Sequence, residues 1–244
     1  MKQTIGIVGG MGPAATSLLF SLIVNKTKAS SDNEHIHVLI DNNTNIPDRS
    51  KAILEDGISP IDEIISSINN LKSIGATFII IPCNTAHYYY DEIINKVDIK
   101  VLNMLDLVAK RCNDSGINNV AILGTNGTYK TKIYDKYLAK YHINVIYPNE
   151  LDQDKIMNGI YSYIKAGIEL PKDYFKEILE NLKNDGALGF ILGCTELCIG
   201  LNNYKNDYLM FDSLEILAES SIIEAGYDIR RCNDEWIRWI IKRI

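Results

Sequence analysis

Two short segments carry the residues best suited to chemistry, Pro82-Cys83-Asn84-Thr85-Ala86-His87 and Gly193-Cys194-Thr195-Glu196-Leu197. Each follows an apolar run, Thr77-Phe78-Ile79-Ile80-Ile81 or Leu188-Gly189-Phe190-Ile191-Leu192, that reads as a buried strand breaking into a polar turn. The cysteines stand close to half of the 244-residue chain apart, one thiol per half, presented in the same way. A thiol ordinarily titrates at about 8.5, so modest stabilisation makes it a base near neutral pH. A helix beginning directly after each strand would supply that stabilisation through its unpaired N–H groups and dipole. Two such groups facing each other across a cleft could take a proton from one face of a carbon and return one to the other, with no cofactor. One buried cysteine alone reads as a small apolar residue. Two in matched polar turns argue for chemistry.

Further polar groups gather in the same turns. Asn84, Thr85 and Thr195 offer side-chain donors beside the thiols, and the turns offer backbone N–H groups for a carboxylate. The loop Gly124-Thr125-Asn126-Gly127-Thr128, after another strand-like run, could add Thr125 and Thr128. Helix capping explains the same residue types. The loop Asn42-Asn43-Thr44-Asn45-Ile46-Pro47-Asp48-Arg49-Ser50 is almost wholly polar, and Arg49 in it could grip a carboxylate through two parallel hydrogen bonds. Lys165, in Tyr161-Ser162-Tyr163-Ile164-Lys165-Ala166-Gly167, reads from spacing alone as a solvated lysine near a helix end. His87 and Glu196 lie near the thiols in sequence. Each either tunes a cysteine or relays a proton, or else caps a helix or pairs with a neighbour.

The elements that must position these groups alternate. Strand-like runs are Thr4–Gly9, Ile36–Ile40, Thr77–Ile81, Val120–Leu123, Asn144–Ile146, Leu188–Leu192 and Tyr208–Phe211, while Ser59–Lys72, Thr128–Tyr141, Asp152–Lys165 and Pro171–Asn184 space their apolar residues as helices do. That alternation predicts an α/β fold with parallel sheets. Ile5-Gly6-Ile7-Val8-Gly9-Gly10 and Val120-Ala121-Ile122-Leu123-Gly124-Thr125 open two halves that each reach a Cys-Thr or Cys-Asn-Thr turn later. The expectation is two similar domains, each a parallel sheet flanked by helices. They would be related by a pseudo-two-fold, with the active site in the cleft between them. Residues 1–100 with about 210–244 would form the first domain with C-terminal helices, and 101–209 the second. Ligands of such sheets collect at the carboxyl ends of the strands, where all these turns lie. In the tail Arg230–Ile244, Trp236, Ile237, Trp239, Ile240 and Ile241 form an apolar stripe suited to packing on the body of the protein or on a second subunit.

Composition bounds the function. With 46% hydrophobic and 23% charged residues the chain is an ordinary globular one, and its net charge of −6 argues against a nucleic-acid or anionic-membrane partner. No segment reads as a signal peptide or a membrane span. Five irregularly spaced cysteines suggest free thiols in a reducing cytosol, so a cytoplasmic location is expected. Cys112, Cys198 and Cys232 read as structural. No metal is expected: Cys194 and Cys198 are too isolated, and His35 and His37 point to opposite faces of a strand. Gly10-Met11-Gly12-Pro13-Ala14-Ala15 formally matches a dinucleotide-binding signal, but that reading leaves both cysteine turns unexplained.

Five motifs in order resemble the aspartate/glutamate racemase family, in its aspartate-racemase branch, over nearly the whole chain to about residue 226. They are Gly9-Gly10-Met11-Gly12-Pro13 with Ala15-Thr16, Ile46-Pro47-Asp48-Arg49, Pro82-Cys83-Asn84-Thr85-Ala86-His87, Ile164-Lys165-Ala166-Gly167 and Gly193-Cys194-Thr195-Glu196-Leu197. The resemblance implies a cofactor-independent two-base reaction on an acidic amino acid, with Cys83 and Cys194 on opposite faces of the α-carbon. It implies that Arg49 and Lys165 help hold the substrate, that Asn84, Thr85 and Thr195 bind its α-carboxylate and ammonium, and that the protein is a homodimer. Met11 and Ser50, within or beside these motifs, join the expected substrate contacts. Glutamate racemases carry Asp-Ser in the first glycine loop and His after the second Cys-Thr, where this chain has Gly9-Gly10-Met11 and Glu196. That difference favours aspartate, with glutamate or broader specificity as the alternative inside the family. A non-enzymatic sensor of acidic amino acids would keep Arg49 and the carboxylate-binding turns but would have no need of two thiols.

Overall fold

Eight short strands build two separate four-stranded parallel sheets in the computed structural model, which describes residues 2–230. The strands are β1 (Ile5–Gly9), β2 (Val38–Asn42), β3 (Phe78–Ile80), β4 (Lys100–Val101), β5 (Asn119–Leu123), β6 (Asn144–Ile146), β7 (Gly189–Leu192) and β8 (Met210–Asp212). The first sheet runs β2-β1-β3-β4 and the second β6-β5-β7-β8, the same order strand for strand. The central strands are buried on both faces, which is why they read as continuous apolar runs rather than alternating ones. In both sheets the strand carrying a cysteine turn, β3 or β7, lies directly beside the first strand of its half. Chain direction across the sheet switches there, so the loops after β1 and β3, and after β5 and β7, open toward ligand at the carboxyl edge.

The helices are α1 (Pro13–Lys26), α2 (Arg49–Leu54), α3 (Ile61–Ser73), α4 (Tyr90–Lys96), α5 (Met104–Asp114), α6 (Asn126–Thr131), α7 (Asp135–Ala139), α8 (Glu150–Asn158), α9 (Lys176–Asn184), α10 (Thr195–Gly200) and α11 (Ser213–Glu224). Side-chain caps start several of them: Asp48 for α2, Asn103 for α5, Thr125 for α6, Asn149 for α8 and Asp212 for α11. The helix expected over Thr128–Tyr141 is two short helices, because Lys132 adopts φ +49 and ends the first. The one expected over Asp152–Lys165 is α8 continued by a π-helical turn, Gly159–Ile164.

The largest core cluster crosses both halves. Leu19 and Ile23 of α1 join Leu214, Leu217 and Ile222 of α11, and the same cluster takes in Phe190 and Leu192 of β7. Strand β8 pairs with β7, so the chain stays with the second sheet through Asp212, and α11 then packs between α1 of the first half and α5 of the second. Thr27 and Ile229 form an antiparallel bridge. No helix among the described residues is long and apolar enough to cross a membrane. Cys232 and the apolar stripe from Trp236 to Ile241 lie outside the described residues.

Candidate functional site

The loop after β1 is built around Gly10, whose φ of +90 and whose contact with Asn43 leave no room for a side chain: a Cβ there would stand 2.2 Å from the Asn43 carbonyl oxygen. Thr16 Oγ1 accepts from Gly10 N at 3.0 Å and donates to the Gly12 carbonyl at 3.0 Å, pinning the loop to α1. The Met11 carbonyl is thereby turned toward Arg49. Arg49 Nη2 donates to it at 2.8 Å, and Nη1 donates to Pro47 O at 2.8 Å.

The fork expected to grip a carboxylate in parallel is therefore turned onto the main chain, and Nε is buried without a partner. Burial alone would lower the basicity of this guanidinium, but Cys83 beside it, with Asp48 and Tyr161, raises it. Arg49 is thus a fixed positive charge against the Cys83 thiol.

Cys83 stands three residues past β3, at the head of a 3-10 turn, Thr85–Tyr89. His87 braces it from behind. Met104 N donates to His87 Nε2 at 3.1 Å, so Nδ1 carries the hydrogen and donates to the Cys83 carbonyl at 2.9 Å. Of the two roles open to His87 in the sequence, the geometry is that of pairing with neighbours. Burial lowers its pKa from 6.5 to about 4. Because the folded value is depressed, the unfolded chain takes up a proton that the native one refuses. His87 should therefore cost about 3 kcal/mol of stability as pH falls from 6.5 to 4. Urea unfolding of His87→Asn should show a deficit against wild type at pH 7 that shrinks toward pH 4.5. A constant deficit would contradict this account.

Cys194 caps α10 directly after β7, as the sequence suggests, but the consequence expected from a helix N-terminus does not follow. Its Sγ donates to Glu196 Oε2 at 3.0 Å, and Thr195 Oγ1 donates to the same oxygen at 3.3 Å. Burial first, then the Glu196 carboxylate, push the Cys194 thiol well above its ordinary value. A six-residue helix has too little dipole to offset both. Glu196 is held in turn by Lys165, with Nζ 3.0 Å from Oε1. Burial would lower the Lys165 ammonium, yet Glu196 keeps it above the usual lysine range. Lys165 is thus partnered rather than solvated. The two thiols are unlike: Cys83 faces a cation, Cys194 a carboxylate bridged to a cation.

Eleven residues expected at the site, Met11, Arg49, Ser50, Cys83, Asn84, Thr85, Thr125, Lys165, Cys194, Thr195 and Glu196, line one narrow cleft together with Asp48 and Tyr161. His87 and Thr128 stand behind the wall. Thr128 shares hydrogen bonds with Thr125, whose hydroxyl also meets Ser50 at 3.4 Å and Thr85 at 3.2 Å, a chain of hydroxyls from both halves. Asn84 has its Oδ1 taken by the Tyr134 hydroxyl and donates from Nδ2 to Ser213 at 3.0 Å, so its amide ties the halves together at the cleft floor. Asp48 and Tyr161 were not expected. Tyr161 precedes Lys165 by one helical turn, a spacing that was itself a signal of contact. Its ring lies 5.3 Å from Lys165 Nζ, and its hydroxyl, pushed up to about 12 by burial and by Asp48, stays a donor.

Comparison with known proteins adds relatives to this geometry. The Asp/Glu/Hydantoin racemase family model matches residues 8–220. The aspartate racemase of Picrophilus torridus is 33% identical and superposes with a TM-score of 0.85, over 93% of this chain and 96% of that one. An aspartate racemase homologue from Pyrococcus horikoshii OT3 is 25% identical, with a TM-score of 0.76 over 93% of this chain and 100% of that one. The broad specificity amino-acid racemase RacX of Bacillus subtilis is 25% identical over 89% of this chain and 96% of its own length.

Proposed function

The chain belongs to the Asp/Glu/Hydantoin racemase family and is an amino-acid racemase; from that premise we propose that it interconverts L- and D-aspartate without a cofactor, through two cysteines. The observation that carries this reading is that Cys83 and Cys194 come from opposite halves and line the same small cleft. The thiolate of Cys83, beside Arg49, takes the α-hydrogen: the Cα–H bond breaks, an S–H bond forms, and the electron pair stays on the substrate. The Cys194 S–H then breaks and its proton goes to the opposite face of Cα. The enzyme is left with the two cysteines in exchanged protonation states, ready for the reverse direction.

The carbanionic intermediate is the difficult species. Cations fixed before the substrate arrives, together with the Ser50, Thr85 and Thr125 hydroxyls, stabilise charge as it moves onto the α-carboxylate. An acidic amino acid suits a cleft holding both Arg49 and Lys165, and the aspartate racemase relative in Picrophilus torridus favours the shorter side chain. The likeness to RacX keeps a second reading, broad specificity, as the competing outcome.

Chiral chromatography of L-aspartate, L-glutamate and L-alanine, each incubated with the purified protein and no cofactor, separates these readings. D-aspartate forming fastest is the expected result. Comparable rates on alanine would favour broad specificity, and no D-isomer from any of them would defeat the proposal. Lys165→Met should raise the KM for aspartate by about 10- to 100-fold, the worth of a hydrogen bond to a charged group. An unchanged KM would confine Lys165 to its pairing with Glu196.

A further inference from the structure

One hydrogen bond joins the two halves across the mouth of the cleft rather than its floor. The Tyr161 hydroxyl, on the π-helical turn of the second half, donates to Asp48 Oδ2 of the first half at 3.2 Å. Both residues line the cleft. At the floor, the links from Asn84 to Tyr134 and Ser213 and from Thr85 to Thr125 are buried and join the halves. Tyr161 is 38% exposed, so its bond lies at the solvent-facing edge, where local opening costs least.

Both partners reach the catalytic groups. The Tyr161 ring carries Lys165, which pairs with Glu196, which accepts from Cys194; these contacts form one continuous chain along the second wall. Asp48 uses its other oxygen, Oδ1, to cap α2 through Lys51 N at 2.9 Å, and α2 begins with Arg49 beside Cys83. The bond therefore ties the wall bearing Arg49 to the wall bearing Lys165. The turn that presents Tyr161 is π-helical, a local distortion that recurs at functional sites.

We propose that Tyr161 and Asp48 form the gate of this cleft, and that Tyr161 is a positioning residue that holds Lys165 over the substrate when the gate is shut. Closure excludes water from the thiols, and opening admits and releases substrate. A carboxylate that engages Lys165 also meets the ring stacked on it, which couples binding to closure. The kinetic part of this inference rests on the racemase reading above; the accessibility part does not.

Tyr161→Phe removes the hydroxyl and keeps the ring. Loss of one such hydrogen bond should shift the balance of open and closed forms about three- to tenfold. The readout is the rate at which iodoacetamide alkylates each cysteine of the intact, substrate-free chain, resolved by mass spectrometry. Cys83 and Cys194 should react faster by that factor, while Cys112, sealed in the core of the second half, keeps its wild-type rate. In turnover, the KM for aspartate should rise more than kcat falls. Unchanged alkylation of Cys83 and Cys194 would overturn the gate. So would an equal acceleration at Cys112, since that reports loosening of the whole fold, and a fall in kcat with KM constant would overturn the positioning role. A wild-type protein that racemises nothing would defeat the racemase reading, and alkylation would still decide the gate.

Discussion

Replacing Cys194 with serine is expected to lower aspartate racemisation about 10³-fold, and replacing Cys83 to do the same. Serine fills the site with a similar but smaller atom, so the fold should survive. Its hydroxyl is a far poorer acid and base than a thiol near neutral pH, which removes one of the two proton transfers. The other thiol remains. Each variant should therefore still exchange the α-hydrogen of the one enantiomer that faces its surviving cysteine, without inverting it. Chiral chromatography measures the loss, and proton NMR in deuterated buffer measures the residual exchange. Racemisation within about tenfold of wild type in either variant would remove that cysteine from the proposed mechanism.

The second large effect is expected at Glu196. This carboxylate accepts from Cys194 and is bridged to Lys165, so its charge keeps the thiol protonated and its partner in place. In Glu196→Gln the repulsion that raises the Cys194 pKa is gone, while burial remains. The sign follows directly. Cys194 acts as proton donor only while protonated, so activity in that direction is lost as pH rises through its pKa. The variant should lose it at lower pH than wild type, and its kcat should fall about 10²-fold. A pH–rate profile in each direction checks both. If the alkaline limb stays where it is in wild type, Glu196 does not set the protonation of Cys194.

Much of this arrangement was legible in the residues. The apolar runs before Cys83 and Cys194 locate two strands, and parallel α/β topology places the turns after them at a common edge. The structure brings eleven of the expected residues to one cleft, Lys165 among them, which spacing alone read as solvated and only the family resemblance put at the site. What was less legible is what each side chain faces. Arg49 stands in a polar loop that invites a carboxylate, but the Gly10 turn aims the Met11 carbonyl at it and engages its fork. Cys194 does begin a helix, yet Glu196, two residues on, lies against the thiol and reverses the expected effect on its acidity. A partner such as the Met11 carbonyl, 38 residues from Arg49, depends on long-range packing, and which way a near neighbour such as Glu196 turns is not encoded in apolar periodicity. The break at Lys132 is of the same sort: nothing in the pattern of apolar residues marks the left-handed turn that splits α6 from α7. Tyr161 could have been found from its spacing to Lys165, but its partner Asp48 is brought to it only by the meeting of the halves.

The most direct test of two thiols on opposite faces is the early course of the reaction on L-aspartate in deuterated buffer. Proton NMR follows the α-hydrogen of the remaining L-form, and chiral separation with mass spectrometry follows the D-form. If one cysteine removes hydrogen and the other delivers a solvent-derived proton, newly formed D-aspartate carries deuterium at Cα while the unreacted L-aspartate keeps its hydrogen. Deuterium entering both pools together from the start would mean that a single group serves both faces, and the two-cysteine account would be wrong.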